Sequence, residues 1–240
     1  MTIMESAREG DCHLALPSAL TLTTPVIESG CTQPLLLPAR YLDRCRDAVR
    51  SILFETDARV LGVTSAAPTP AKATLAAGIA TTLAIDTGEP TVLVECDPDR
   101  PTYRTLLGIP SEEGVVDWLR DETPLHVARM QALRNAYVIP VGGDGNDVGA
   151  TFYHLTRTAL VQLLRRAFRN VVLNLPPVVS GGHSILATHL ADRVLLTAVA
   201  GDSRLPDLKR AVDLLDPTRV QGVVLTDFES RIPTWLRRLL

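Results

Sequence analysis

From about residue 39 onward, short runs that are apolar at almost every position alternate with stretches in which apolar residues recur at helical spacing. The runs Arg59–Thr64, Thr91–Glu95, Ala136–Val141, Asn170–Leu175, Arg193–Ala198 and Arg219–Thr226 are rich in Val, Leu and Ile. Near-continuous apolar character over so short a length is what a strand shows when helices cover both faces of a parallel sheet. Between the runs, the pattern predicts helices over Tyr41–Phe54, Ala71–Asp86, Val115–Arg120, Pro124–Leu133, Ala150–Phe168, Ser184–His189 and Leu205–Leu214. In the first of these, Leu42, Cys45, Val49, Ile52 and Leu53 fall on one face and charged residues on the other. Strand alternating with helix predicts an α/β fold with a doubly wound, mostly parallel sheet. Upstream, Pro17, Pro25, Pro34 and Pro38 interrupt every short apolar stretch, so residues 1–38 are expected to be a flexible tail and 39–240 a single domain.

In doubly wound folds ligands bind past the C-terminal ends of the strands, which directs attention to the residues after Thr64, Glu95, Val141 and Leu175. After the first run comes Ser65-Ala-Ala-Pro-Thr-Pro-Ala71-Lys72-Ala73-Thr74, leading into a helix. Strand, loop, lysine and helix N-terminus is the layout of a P-loop, in which backbone N–H groups cradle phosphates and the lysine reaches the terminal ones. Of 24 basic residues only Lys72 and Lys209 are lysines, so a lysine at this position stands out. The rest of the loop departs from G-x-x-x-x-G-K-[ST]. Ala66 and Ala71 stand where glycine lets the backbone approach the phosphates, and Ala73 stands where a hydroxyl holds Mg²⁺. Thr74 keeps a hydroxyl one place further on, while Pro68 and Pro70 remove two N–H donors. The alternative is that Lys72 is merely a solvated residue in the first turn of a helix.

Two later segments sharpen the picture. The run Thr91-Val-Leu-Val-Glu95-Cys96-Asp97-Pro98-Asp99-Arg100-Pro101 resembles the second acidic motif, D-x-D-x-R-x-P after an apolar run, of the bacterial tyrosine kinases that regulate capsular and exopolysaccharide synthesis. Asn170-Val-Val-Leu-Asn174-Leu-Pro176-Pro177 is similar to their Walker B segment, an apolar run followed by D-x-P-P, and the loop at Ser65, Pro68, Lys72 and Thr74 to their S-x-x-P-G-E-G-K-S-T. Gly114-Val-Val-Asp117-Trp-Leu119 resembles the family's G-L-x-D-x-L, and Val138–Gly142 its strand ending in glycine. The resemblance implies a P-loop NTPase-like domain of the deviant Walker A type found in ParA/MinD-type ATPases. It also implies that Lys72, Thr74, Ala71, Glu95, Asp97 and Asn174 line the nucleotide site. Glu95 replaces the family's first Asp, and Asn174, a neutral amide, replaces its Walker B carboxylate. The family's tyrosine-rich C-terminal tail has no counterpart: the four tyrosines are Tyr41, Tyr103, Tyr137 and Tyr153.

These departures lead to the expectation of a catalytically impaired regulatory or scaffolding protein. No residue is assigned a catalytic or metal-binding role, and no cofactor is firmly held, with weak binding of ATP or ADP left open. The expected partner is a protein, such as a membrane component of polysaccharide export. Two other readings stay open: an active ATPase or tyrosine kinase with an altered site, in which Glu95, Asp97 and Thr74 hold the metal, and a ParA/MinD-like positioning ATPase. Helix residues Asp43, Arg46, Asp47 and Arg50 sit where the family carries E-x-x-R-x-x-R, a helix that docks into the next subunit of a ring. The spacing is off by one, so intrahelical ion pairs are the alternative to a homo-oligomer contact.

Composition narrows the rest. The chain's 240 residues, 46% of them hydrophobic, suffice for one sizeable core. A net charge of −3 offers no bulk attraction to nucleic acid, which is not expected as a partner. Cys12, Cys31, Cys45 and Cys96 form no C-x-x-C pair, and no apolar run approaches the roughly 18 residues of a membrane span. The start carries Glu5, Arg8, Glu9 and Asp11 rather than a basic region leading into an apolar core, so no secretory signal is expected. A cytoplasmic location follows, at the inner face of the membrane if a partner holds it there. The spacing of His13, His126, His154, His183 and His189 matches no metal site. Ile232–Leu240, with Trp235, Arg237 and Arg238, reads as a short closing helix, contact with a membrane or a partner being the alternative.

Overall fold

A computed structural model of the chain describes residues 26–55, 57–121, 125–131, 133–143, 155 and 160–227. Eight strands form one sheet: β1 (Val26–Gly30), β2 (Val60–Ser65), β3 (Thr91–Glu95), β4 (His126–Arg129), β5 (Ala136–Ile139), β6 (Asn170–Asn174), β7 (Arg193–Val199) and β8 (Val220–Thr226). Their order across the sheet is β1-β4-β5-β3-β6-β2-β7-β8. All neighbours run parallel except β4 and β5, which pair antiparallel. The described helices are α1 (Ala39–Glu55), α2 (Pro70–Thr87), α3 (Tyr103–Leu107), α4 (Val115–Asp121), α5 (Leu160–Ala167), α6 (Gly182–Thr188) and α7 (Leu205–Leu214).

The core strands alternate their side chains between two apolar layers. Leu61, Leu93 and Val172 point to the layer under α1 and α2, with Leu75, Ile79 and Leu83. Val60, Val92, Val94, Val171 and Leu173 point to the other, with Trp118 of α4 and Leu160, Leu163 and Leu164 of α5. Because both faces are covered, the runs lack polar alternation, and for that reason the sequence reveals them as buried strands. α2 buries eleven of its residues and is bounded by identifiable caps. Thr69 is the N-cap, its hydroxyl oxygen accepting the Ala71 N–H at 3.3 Å, and Pro70 opens the helix. Gly88 closes it in the left-handed region, donating its N–H to Ala84 at 3.2 Å.

Two expectations need correction. The described part of Pro124–Leu133 is not a helix: His126–Arg129 is a strand between β1 and β5. Leu125 and Val127 enter one apolar layer and Ala128 and Met130 the other, so both-sided burial and two neighbouring strands decide the conformation. The expected tail of residues 1–38 also ends earlier than the prolines suggest. Val26–Gly30 pairs with β4, and the following segment is tied down by Cys31 N–H to Arg129 O, Thr32 N–H to Gly108 O and Gln33 N–H to Leu107 O. A strand adding to a sheet edge draws its stability from backbone pairing, which composition does not display. The five-residue helix α3 was not anticipated, and the Ile232–Leu240 helix lies outside the described residues.

Candidate functional site

The chain leaves β2 toward β3 and β5 on one side and reaches β7 and β8 on the other, with β6 inserted between β3 and β2. The C-terminal ends of β2, β6 and β3 therefore form the switch point of the sheet. Lys72, in the first turn of α2, is 3% exposed. Its Nζ donates to Asp97 Oδ2 at 2.5 Å and to the Leu175 carbonyl oxygen. Asp97 follows β3 and Leu175 follows β6, so one ammonium links the helix after β2 to the ends of both neighbouring strands. Burial pulls the lysine's pKa below its ordinary value, and the Asp97 carboxylate opposes that shift without overcoming it.

Asp97 is itself 1% exposed, and its second oxygen, Oδ1, is buried without a hydrogen bond. Asn174, also 1% exposed, likewise has its Oδ1 buried and unpartnered. Its backbone oxygen accepts the Cys96 N–H at 2.9 Å, joining β6 to the residue between the two acids. Burial pushes the Cys96 thiol up to about 12, so it carries no thiolate at neutral pH.

Glu95 faces elsewhere. Its Oε1 accepts the N–H groups of Thr102 (2.5 Å) and Tyr103 (3.2 Å), and its Oε2 the N–H of Val141 (3.3 Å). The Thr102 side chain makes no capping bond, so Glu95 supplies the acceptor that the start of α3 lacks. Glu95 thus fastens β3, α3 and the end of β5 together. Burial raises its pKa from 4.5, with the three N–H bonds opposing. Folding therefore takes up a proton between pH 4.5 and the raised value, and this contribution to stability is lost as pH rises through that window. Glu95→Gln should remove that slope. It should also cost about 1–3 kcal/mol, because the amide has one acceptor oxygen for three donors. Urea titrations of both proteins across acid pH check this; parallel pH profiles would contradict it.

The structure thus brings Lys72 and Asp97 into contact and sets Asn174 at the end of the strand between β2 and β3, but it does not gather all six candidate residues. Thr74 is exposed and bonds only to Pro70 O of its own helix, at 3.4 Å. Ala71 gives its N–H to Thr69, and Ala73 is buried in the core. The carbonyl of Ala73 accepts from the fully buried Tyr103 hydroxyl at 2.8 Å. Sequence reasoning missed the Leu175 carbonyl and the Tyr103 contact, and no local signal marks either. It also missed Thr64, whose hydroxyl donates to Pro176 O at 2.7 Å and fixes the Pro176-Pro177 turn to β2. Among the described residues, no group of three His, Cys, Asp or Glu side chains could hold a metal ion.

Beside the site, two segments singled out in the sequence lock together. Asp117 Oδ2 accepts the N–H groups of Gly114 (2.8 Å) and Gly143 (3.0 Å), while Val115 and Val116 donate to Pro140 O and Val141 O. Gly142 holds φ +66°, and a Cβ there would meet Asp117 Oδ2 at 2.1 Å. On the outer face, Arg46 of α1 makes two bonds to Asp86 at the end of α2 (2.5 and 2.7 Å) and one to Asp43 (2.7 Å). This arginine clamps α1 to α2 within the chain, whereas Arg50 is exposed.

No family model matches the sequence, and no curated protein matches it in sequence. Solved structures do match the fold. The VpsO kinase domain is 23% identical over 79% of this chain and 97% of that one, with a TM-score of 0.69. The kinase domain of the Escherichia coli tyrosine kinase Etk is 19% identical over 79% of this chain and 75% of that one, with a TM-score of 0.69. The MinC:MinD cell division protein complex of Aquifex aeolicus gives 20% identity over 70% and 67%, with a TM-score of 0.54. The fold is that of bacterial tyrosine kinase domains and MinD-type P-loop ATPases. No helix among the described residues is long and apolar enough to cross a membrane.

Proposed function

We propose that this chain is a regulatory or scaffolding protein that keeps the fold of a tyrosine-kinase-like P-loop ATPase without its phosphoryl-transfer chemistry. One observation carries the reading: the lysine that would reach a terminal phosphate is buried and engaged with Asp97 and the Leu175 carbonyl of its own chain. Its surroundings support the same conclusion. A magnesium triphosphate needs glycines at the cradle, a hydroxyl after the lysine and a carboxylate at the end of the central strand. Here those places hold Ala66, Ala71, Ala73 and Asn174. Glu95, the residue best placed by sequence to help with metal, serves three backbone N–H groups instead. The residues present do not fit that ligand in this arrangement.

The function is then one of contact. The similar folds include a MinD bound to its protein partner MinC, which favours a protein partner here as well. The partner in this reading is a component of polysaccharide export at the inner face of the membrane, which the resemblance to capsular and exopolysaccharide regulators supports. Purified protein incubated with ATP and Mg²⁺ should release no phosphate above the Lys72→Met background and acquire no phosphotyrosine. Turnover that Lys72→Met abolishes would overturn the reading in favour of an active enzyme with an altered site.

A further inference from the structure

The space beside Lys72 is already filled by an anion belonging to the chain. Lys72 lies in the first turn of an 18-residue helix, where aligned peptide dipoles favour negative charge. The negative charge found there is the Asp97 carboxylate, 2.5 Å from the ammonium. That carboxylate is held in one way only. Oδ2 accepts from Lys72, while Oδ1 is buried and unbonded, as is Asn174 Oδ1 at the end of the neighbouring strand. A carboxylate serving as structural cement accepts two or three N–H bonds, as Glu95 does two residues away. Asp97 accepts no backbone N–H among the described residues, so its seat depends on the lysine and is open to exchange.

We propose that Asp97 is an intramolecular competitor for anions at Lys72: the site takes up a phosphate-type anion, without metal, only in exchange for the Asp97 carboxylate. The proposal rests on the reading that the domain does not turn nucleotide over, and it adds the control of the same site. With Asp97 in place the pair is neutral, and an incoming phosphate gains from Lys72 no more than it loses to the carboxylate. Removing that one negative charge leaves a buried cation at a helix N-terminus, an environment suited to an oxyanion.

Asp97→Asn keeps the shape and an acceptor oxygen for Lys72 while deleting the charge. Calorimetric titration of the full chain with inorganic pyrophosphate in EDTA should show Asp97→Asn binding at least about tenfold more tightly than wild type. The double variant Lys72→Met/Asp97→Asn should lose that gain. Equal or weaker binding by Asp97→Asn, or a gain that survives loss of Lys72, would overturn the proposal. Asp97→Ser provides the same comparison should the asparagine variant fail to fold. ATP turnover by the wild type would sink the functional reading, whereas the pyrophosphate titrations judge the competition by themselves.

Discussion

Lys72→Met should lower folding stability by about 3–5 kcal/mol, the usual cost of removing one partner from a buried ion pair. The substitution leaves the Asp97 carboxylate, 1% exposed, with neither oxygen bonded, and removes the donor to the Leu175 carbonyl. A phosphate-loop lysine that reaches toward a ligand would behave differently, because its loss would weaken binding and leave the free protein's stability nearly unchanged. Buried pairs are often no better than apolar residues of the same volume. The double variant Lys72→Met/Asp97→Leu should therefore recover most of the lost stability. Urea denaturation of the two single variants and the double variant gives the coupling directly. Additive losses would show that the lysine and the aspartate do not hold each other.

Gly114→Ala should be comparably damaging, for a steric reason. A Cβ on Gly114 would lie 2.2 Å from Pro140 O, 2.5 Å from Gly142 N and 2.6 Å from Val141 C, all of them backbone atoms. No side chain can swing aside, so α4 must move off the end of β5 and give up the Asp117 bonds to Gly114 and Gly143. The expected loss is about 3 kcal/mol or more, or a fall in melting temperature of roughly 6–12 °C. Asp117→Ala, which removes only the shared acceptor, should cost less, about 1–3 kcal/mol. A Gly114→Ala protein that melts with the wild type would mean that the two segments are not in contact.

How far the sequence foretells this structure depends on how local each cause is. β2, β3, β5, β6 and β7 were legible because burial on both faces leaves continuous apolar runs, and β3 keeps its expected bounds, Thr91–Glu95; β8 shows the same apolar run although Val223 and Leu225 are exposed. α2 was legible as Ala71–Asp86 from its apolar pattern, whereas the caps Thr69 and Gly88 bound it at Pro70–Thr87. β1 and β4 escaped because each is specified by its neighbours rather than by its own pattern; Leu-His-Val-Ala-Arg-Met fits a helix as readily as a strand until β1 and β5 flank it.

The site was legible in its parts but not in its connections. Lys72 was picked out by its place between a strand and a helix, and Asp97 and Asn174 by resemblance to the family's motifs, yet the ion pair spans 25 residues and the bond to Leu175 spans 103. Side-chain direction across such separations is set by the fold. Glu95 illustrates the point, since the sequence marks it as an acid at a strand end where the resemblance expects a metal-holding Asp. Its longer side chain turns to the start of α3 and to Val141, a destination visible only once those segments are in place. The helix with Arg46 is similar: a ring contact and intrahelical pairs were the two readings, and Arg46 bonds Asp43 in its own helix but also Asp86, 40 residues away, a partner that neither reading named.

The proposed function depends on whether the phosphate loop seats a magnesium nucleotide. Calorimetric titration of the full chain with ATP in the presence of Mg²⁺ addresses that directly. The closed Lys72–Asp97 pair predicts no saturable binding up to about 1 mM ATP, with no difference between wild type and Lys72→Met. Saturable binding near about 1 μM that requires Mg²⁺ and disappears in a folded Lys72→Met protein would contradict it.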